Sequence, residues 1–185
     1  MQLKSIYIIL AIIFLLLIWA IQVYNRIVGM VQRIENSKAQ IDTLLKKRFD
    51  MIPNMVQIVK GYAAHEKETL LGLIEIRNKT YDDKNVVKKD KVCNKTFSKI
   101  MAISEAYPEL KASENFLKLQ IELDEMEDLI RTARMEFNDV VLIYNRFIMA
   151  IPTVFIAILL GYKREEYFEA DMKERENVKM SLPNE

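Results

Sequence analysis

The chain opens with an apolar run from Ile6 to Val23, interrupted only by Gln22, and then changes abruptly to charged sequence with helical spacing. The run meets the ~17–25 residues that a helix needs to cross hydrocarbon. A cleaved signal peptide also places an apolar stretch behind a lone Lys4, but its core is typically ~7–15 residues and ends in a small-x-small site. Here the run ends in Ile18-Trp19-Ala20-Ile21-Gln22-Val23, with bulky side chains throughout, so an uncleaved anchor over residues 1–24 is the preferred reading. Tyr7, Trp19 and Tyr24 stand towards its ends, where amphipathic rings favour the water–lipid boundary.

Beyond the run, Ile27, Val31, Ile34, Ile41 and Leu45 follow spacings that place them on one helical stripe, with Lys38 and Arg48 filling two of its slots. The membrane helix is therefore expected to continue as a stem to about Phe49. Pro53 is read as an interruption and as the start of a second helix, because proline disfavours helix at the preceding residue and suits a first turn. The second stripe is Val56, Val59, Ala63, Leu70 and Leu73. Thr80 to Asp90 reads as a polar connection, after which Cys93, Phe97, Ile100 and Ser104 restart the spacing until Pro108.

Ser113, a plausible N-cap, opens the longest pattern. Phe116, Leu119, Leu123, Met126, Ile130, Ala133, Phe137, Val140, Tyr144 and Phe147 alternate steps of three and four, a heptad seam over ~50 Å of helix. Such a seam needs neighbours. The fold class is accordingly all-α, an N-terminal transmembrane helix followed by an antiparallel coiled-coil-like bundle over residues 25–170. A coiled-coil dimer, and with it a homo-oligomer, is the alternative. A second apolar stretch, Ile148 to Leu160 with Pro152 inside it, is too short to span, leaving bundle core, interfacial helix or re-entrant hairpin. If the last long helix returns to the bilayer, Ile148, Leu159, Leu160 and Tyr162 are candidate membrane-proximal contacts, with Lys163 and Arg164 at the headgroups. Residues 171–185 are polar and expected to be a disordered tail.

Composition narrows the function. The chain holds 27 basic and 26 acidic residues for a net charge of +1, which gives no general electrostatic footprint for nucleic acid. Four glycines and four prolines in 185 residues leave few turns, hence few long helices. Arg26, Arg33 and Lys38, then Lys46-Lys47-Arg48, follow the span, against Lys4 and the terminal amine before it. The positive-inside bias favours an outside N-terminus and a cytoplasmic bundle at the cell membrane. The lone Cys93 fits a reducing compartment. The sequons at Asn78 and Asn94 are expected by chance.

Candidate chemistry is sparse. His65-Glu66 begins like a zinc-protease motif, but the second histidine should stand at Thr69, and the chain has one histidine. The competing activity, a metal-dependent or hydrolase-type accessory, would use His65, Glu66 and Glu68. The acidic residues Glu122, Asp124, Glu125, Glu127 and Asp128 read as a solvated face, and Cys93 as a small buried residue. No catalytic residue, metal or cofactor is expected. Lys46, Lys47, Arg48, Asp50 and Asn54 are read as a partner-binding tip where the stem turns, the basic triplet attracting an acidic partner. The repeated tripeptides Tyr24-Asn25-Arg26 and Tyr144-Asn145-Arg146 suggest an Asn25–Asn145 contact fixing register.

Several blocks resemble the LemA family. They are Asp50-Met51-Ile52-Pro53-Asn54-Met55-Val56 running into Val59-Lys60-Gly61-Tyr62-Ala63 and His65-Glu66, preceded by Ile41-Asp42 and Leu45-Lys46-Lys47-Arg48. Tyr107-Pro108-Glu109-Leu110-Lys111-Ala112, Asn115-Phe116, Leu119-Gln120, Ala133-Arg134, Tyr144-Asn145, Pro152 and Gly161-Tyr162 continue the likeness to Tyr167-Phe168-Glu169. Ile151 replaces the usual aromatic before the proline. The resemblance implies a bacterial or archaeal single-pass membrane protein carrying a helical bundle, and it implies no reaction. A non-enzymatic scaffold or adaptor, in contact with membrane lipid and with protein partners, is the function expected.

Overall fold

In the computed structural model, which describes residues 2–168, the first helix does not stop at the stem. Helix α1 runs unbroken from Gln2 to Tyr62, ~90 Å at 1.5 Å per residue. The uncharged window near its N-terminus is long and apolar enough to cross a membrane, and nearly all of its side chains are exposed. Packing begins at Val23, continues through Ile27, Ile34, Ile41 and Leu45, and reaches Val59, all of them buried.

Pro53 therefore lies inside α1, contrary to the expected break. A proline in a helix interior costs ~3 kcal/mol, partly because its missing N–H leaves the carbonyl four residues back without a donor. Two things offset this. Ile52, Met55, Val56 and Val59 around it are all buried, and the orphaned Phe49 carbonyl accepts from Arg77 Nε at 3.4 Å. The real break comes at Ala63, where the backbone leaves helical geometry and a short 3-10 turn, Ala64–Glu66, reverses the chain.

Helix α2 (Lys67–Thr80) runs back along α1, α3 (Val86–Glu105) runs forward again, and after the one-turn α4 (Pro108–Lys111) the 36-residue α5 (Glu114–Met149) returns. Cross-contacts show the antiparallel sense of α1 and α5: Arg26 lies over the Phe147 ring, Lys38 over Phe137, and Arg48 pairs with Glu127. Asn85 caps α3 by accepting from Lys88 N at 2.9 Å. The expected polar connection is thus shorter than Thr80 to Asp90, and its last residues, Lys89 and Asp90, are buried in α3. Ser113 stands at the N-cap of α5, although its side chain makes no capping bond.

On α5 the buried positions follow the expected seam through Phe116, Leu123, Ile130, Ala133, Phe137 and Tyr144, and towards the C-terminus also take Val141, Asn145 and Ile148, one residue later than the seam. Val140 and Phe147 are only partly buried. The shift of one residue is what a straight helix does when 3.6 residues per turn drift against a 3.5-residue seam. The core falls into two apolar clusters. The one farther along α1 is built from Phe49 to Ala63 with α2, α3, α4 and the start of α5. The other joins Val23 to Leu45 with Ile130 to Ile148, Ala157 and Phe168. Residues 171–185, expected to be a tail, lie outside the described residues.

Candidate functional site

Between the two apolar clusters the bundle is crossed by charges. Lys89 is 1% exposed and gives its Nζ to Asp42 Oδ1 at 2.6 Å. Arg48, 3% exposed, donates to Asn94 Oδ1 at 2.6 Å and to Glu127 Oε2 at 3.3 Å, with its guanidinium over the Phe97 ring. Arg134 pairs with the buried Asp90. Burial opposes ionisation of Asp42, but the hydrogen bonds and charges of Lys89 and Lys46 outweigh it and hold the carboxyl below its ordinary value. Buried pairs of this kind add little net stability over apolar residues, yet removing one partner leaves a buried charge exposed to its full desolvation cost. Each ties particular helices together: Lys89 joins α3 to α1, Arg134 joins α5 to α3, and Arg48 joins α1 to both.

The expected tip is corrected by this arrangement. Lys46, Lys47, Arg48, Asp50 and Asn54 lie in the C-terminal third of α1, short of its end at Tyr62, and they do not form one patch. Arg48 belongs to the buried layer. Lys46 is half-exposed and pairs with Asp42 at 3.3 Å. Asp50 accepts from Arg77 at 2.5 Å and from the Tyr81 hydroxyl at 3.3 Å, while Arg77 lies 4.1 Å above the Tyr81 ring. Asp50 thus steers Arg77 onto the carbonyl that Pro53 leaves free, which ties two residues of the motif into one device. Of the five, Lys47, Asp50 and Asn54 are exposed, and Asp50 is engaged by Arg77. Glu127 is likewise more than a solvated face residue.

At the other end, Asn145 meets the chain beyond α5 instead of Asn25, which is exposed. Its amide exchanges two bonds with the Glu165 backbone, at 2.9 and 3.0 Å, and Asn138 does the same with Phe168 at 3.1 and 2.7 Å. Tyr144 donates to the Lys163 carbonyl at 2.9 Å. Residues 162–168 form a strap held against α5, with Phe168 edge-on to Phe137. Of the candidate membrane-proximal residues, Ile148 is buried and Tyr162 partly so, whereas Leu159 and Leu160 are exposed. A groove of about 460 Å³ lies beside the strap, lined by Lys38, Lys84, Phe137, Glu165 and Tyr167 among others.

His65 and Glu68 are exposed near the 3-10 turn, with Glu66 partly buried. Among the described residues no group of three or more His, Cys, Asp or Glu could hold a metal ion. Burial pushes the Cys93 thiol up to about 12, the opposite of what a nucleophilic thiolate requires. Sequence reasoning missed Arg77, Lys89, Asp90, Asn94 and Arg134. A signal existed for two of them, because Lys89 and Asp90 lie four and seven residues before Cys93 and Phe97, on the extended seam.

An anchor-length apolar helix continuous with a long antiparallel bundle defines a class of helical membrane proteins. The sequence profile of the LemA family matches residues 37–182, and the protein belongs to that family. Magnetosome protein MamQ of Magnetospirillum gryphiswaldense is 23% identical over 174 residues, covering 78% of this chain and 64% of that protein. Magnetosome protein MamQ 2 of Paramagnetospirillum magneticum is likewise 23% identical, over 175 residues, 79% of this chain and 64% of its own length. This chain therefore spans less than two thirds of those relatives. Protein LemA of Metamycoplasma hominis is 26% identical over 161 residues, 85% of this chain and 74% of that protein.

Proposed function

We propose that this LemA-family protein is a non-enzymatic membrane scaffold or adaptor, anchored by the apolar part of α1 with its bundle on the cytoplasmic face. The continuity of α1 carries the reading: one helix holds both the apolar run and the bundle core, with no linker between them. A tethered enzyme tolerates a flexible joint, whereas a rigid one fixes the height and tilt of the bundle over the bilayer. The orientation rests on the excess of Arg26, Arg33 and Lys38 over Lys4.

Partners would meet the outer face of α1 around the exposed Lys47 and Asn54, a narrower surface than the five residues first considered. The test is affinity purification from native membranes, with Lys47→Glu as the comparison. A specific protein lost from the variant and released from the wild type by salt supports the scaffold. An unchanged set of partners at low and high salt removes this face from the proposal. Topology is checked with Lys47→Cys and a membrane-impermeant maleimide. Labelling in intact cells would refute the cytoplasmic placement.

A further inference from the structure

A strongly apolar exposed surface lies on and just before α6 (Thr153–Leu159), which leaves α5 at 96°. Its inner side is settled. Ala157 is buried in one cluster with Val23 and Ile148, where Trp19 and Ile156 also pack, and the Thr153 hydroxyl bonds the Phe147 and Ala150 carbonyls at 2.5 and 2.8 Å. The strap, pinned through Tyr144, Asn145 and Asn138, holds the chain on its far side. Outward face Ile151 at 81% exposure, Phe155 at 68%, Ile158 at 71% and Leu159 at 84%. A contiguous apolar patch of this kind marks an interaction surface.

We propose that α6 is a second membrane contact, a short helix lying in the headgroup region of the leaflet from which α1 emerges and favouring anionic lipid. The inference rests on the reading that α1 crosses the membrane, and two observations select lipid over a protein partner. The first is continuity: α6 packs at the level of Trp19 and Val23, where the apolar run of α1 ends, so its outer face lies beside the surface that α1 would leave. The second is charge. No carboxylate side chain occurs in residues 1–34 or 140–164, while Arg26, Arg33, Arg146, Lys163 and Arg164 fall in those stretches. Glu165 and Glu166 come next in the chain, with Glu165 paired to Lys38, so the cations nearest the apolar face, Arg146, Lys163 and Arg164, are the charges that match an anionic headgroup layer. A seven-residue helix rises only ~10 Å, too little to cross, and its position across the end of α5 suits lying in the interface. Anchor and foot together would hold the bundle at a set angle, which one span cannot do.

The test uses the full chain in vesicles of phosphatidylcholine and phosphatidylglycerol, with a nitroxide on Ile158→Cys or Leu159→Cys. The wild type, whose Cys93 is buried, serves as the labelling blank. Relaxation by oxygen against a water-soluble nickel chelate should place both labels ~5–10 Å into the headgroup–acyl boundary, while a label on Met135→Cys reads as aqueous. With phosphatidylcholine alone, or with Lys163→Glu and Arg164→Glu, nickel access at both foot positions should rise several-fold. If the foot labels are as aqueous as Met135→Cys in protein that resists carbonate extraction, the foot is refuted and the span stands. Labels near the bilayer centre would refute it in favour of a re-entrant hairpin. Extraction by carbonate would overturn the span and the foot together, and depth insensitive to lipid charge and to both reversals would overturn the anionic preference.

Discussion

Replacing Arg77 with Ala removes, besides an exposed bond to its neighbour Asn78, three contacts where α2 meets α1. The bond to the Phe49 carbonyl, 3.4 Å long, should contribute ~1 kcal/mol. Stacking on Tyr81 adds ~0.5–1 kcal/mol, and the ion pair with the half-exposed Asp50, discounted for solvent screening, adds ~0.5 kcal/mol. The expected loss is ~2 kcal/mol, or ~4–8 °C in melting temperature for a chain of this size. Thermal unfolding of the full chain in detergent, followed by far-UV circular dichroism, measures it. The decisive comparison is the cycle with Pro53→Ala, which gives the Phe49 carbonyl back a backbone donor and relieves up to ~3 kcal/mol of helix penalty. In that background the carbonyl no longer depends on Arg77, so Arg77→Ala should cost ~1 kcal/mol less than in the wild type. If the two changes add within ~0.3 kcal/mol, Arg77 does not substitute for the missing N–H, and the account of the uninterrupted helix is wrong.

Ile130, 1% exposed in the cluster nearer the anchor, should lose ~2–5 kcal/mol on Ile130→Ala; an unchanged melting curve would mean that the seam is not packed as described. Asp42 has a folded pKa below its ordinary value, so its contribution is complete above about pH 4 and is lost as the pH falls through the lowered folded value. Melting temperature should decline on that acid side and decline less in Asp42→Asn; equal slopes would contradict the Lys89 pairing. Cys93 should resist a thiol reagent at mildly alkaline pH in the folded chain and react on denaturation. Rapid modification of the native protein would contradict its burial.

How far the candidate sites could be read beforehand depended on how local the determining contacts were. Lys38 and Arg48 stood out at once as charges on an apolar stripe, and Arg48 is buried as that stripe requires. The tip interpretation of the same residue failed because it rested on a break at Pro53. Nothing near Pro53 in sequence announces that the missing donor comes from Arg77, which lies 28 residues from Phe49 along the chain. The register contact assigned to Asn145 failed in a similar way: a polar residue on the seam was recognised, but its partner is a backbone strap 20 residues onward.

By itself, the sequence determined the all-helical class, the anchor-length apolar run, the turn before Pro108 and most of the α5 seam, because each depends on side-chain spacing within a few turns of one helix. Family membership was legible too, through the blocks from Ile41 to Phe168. Only the tertiary structure decided that α1 passes through Pro53, that Lys89, Asp90, Arg48 and Arg134 meet across the core, and that α6 turns its apolar side outward at the anchor end. Those outcomes hang on pairs far apart in the chain, 79 residues for Arg48 and Glu127 and more for Val23 and Ala157. The cost of burying a charge or omitting a backbone donor is settled by whatever group packing brings alongside, and helical periodicity carries no record of that group.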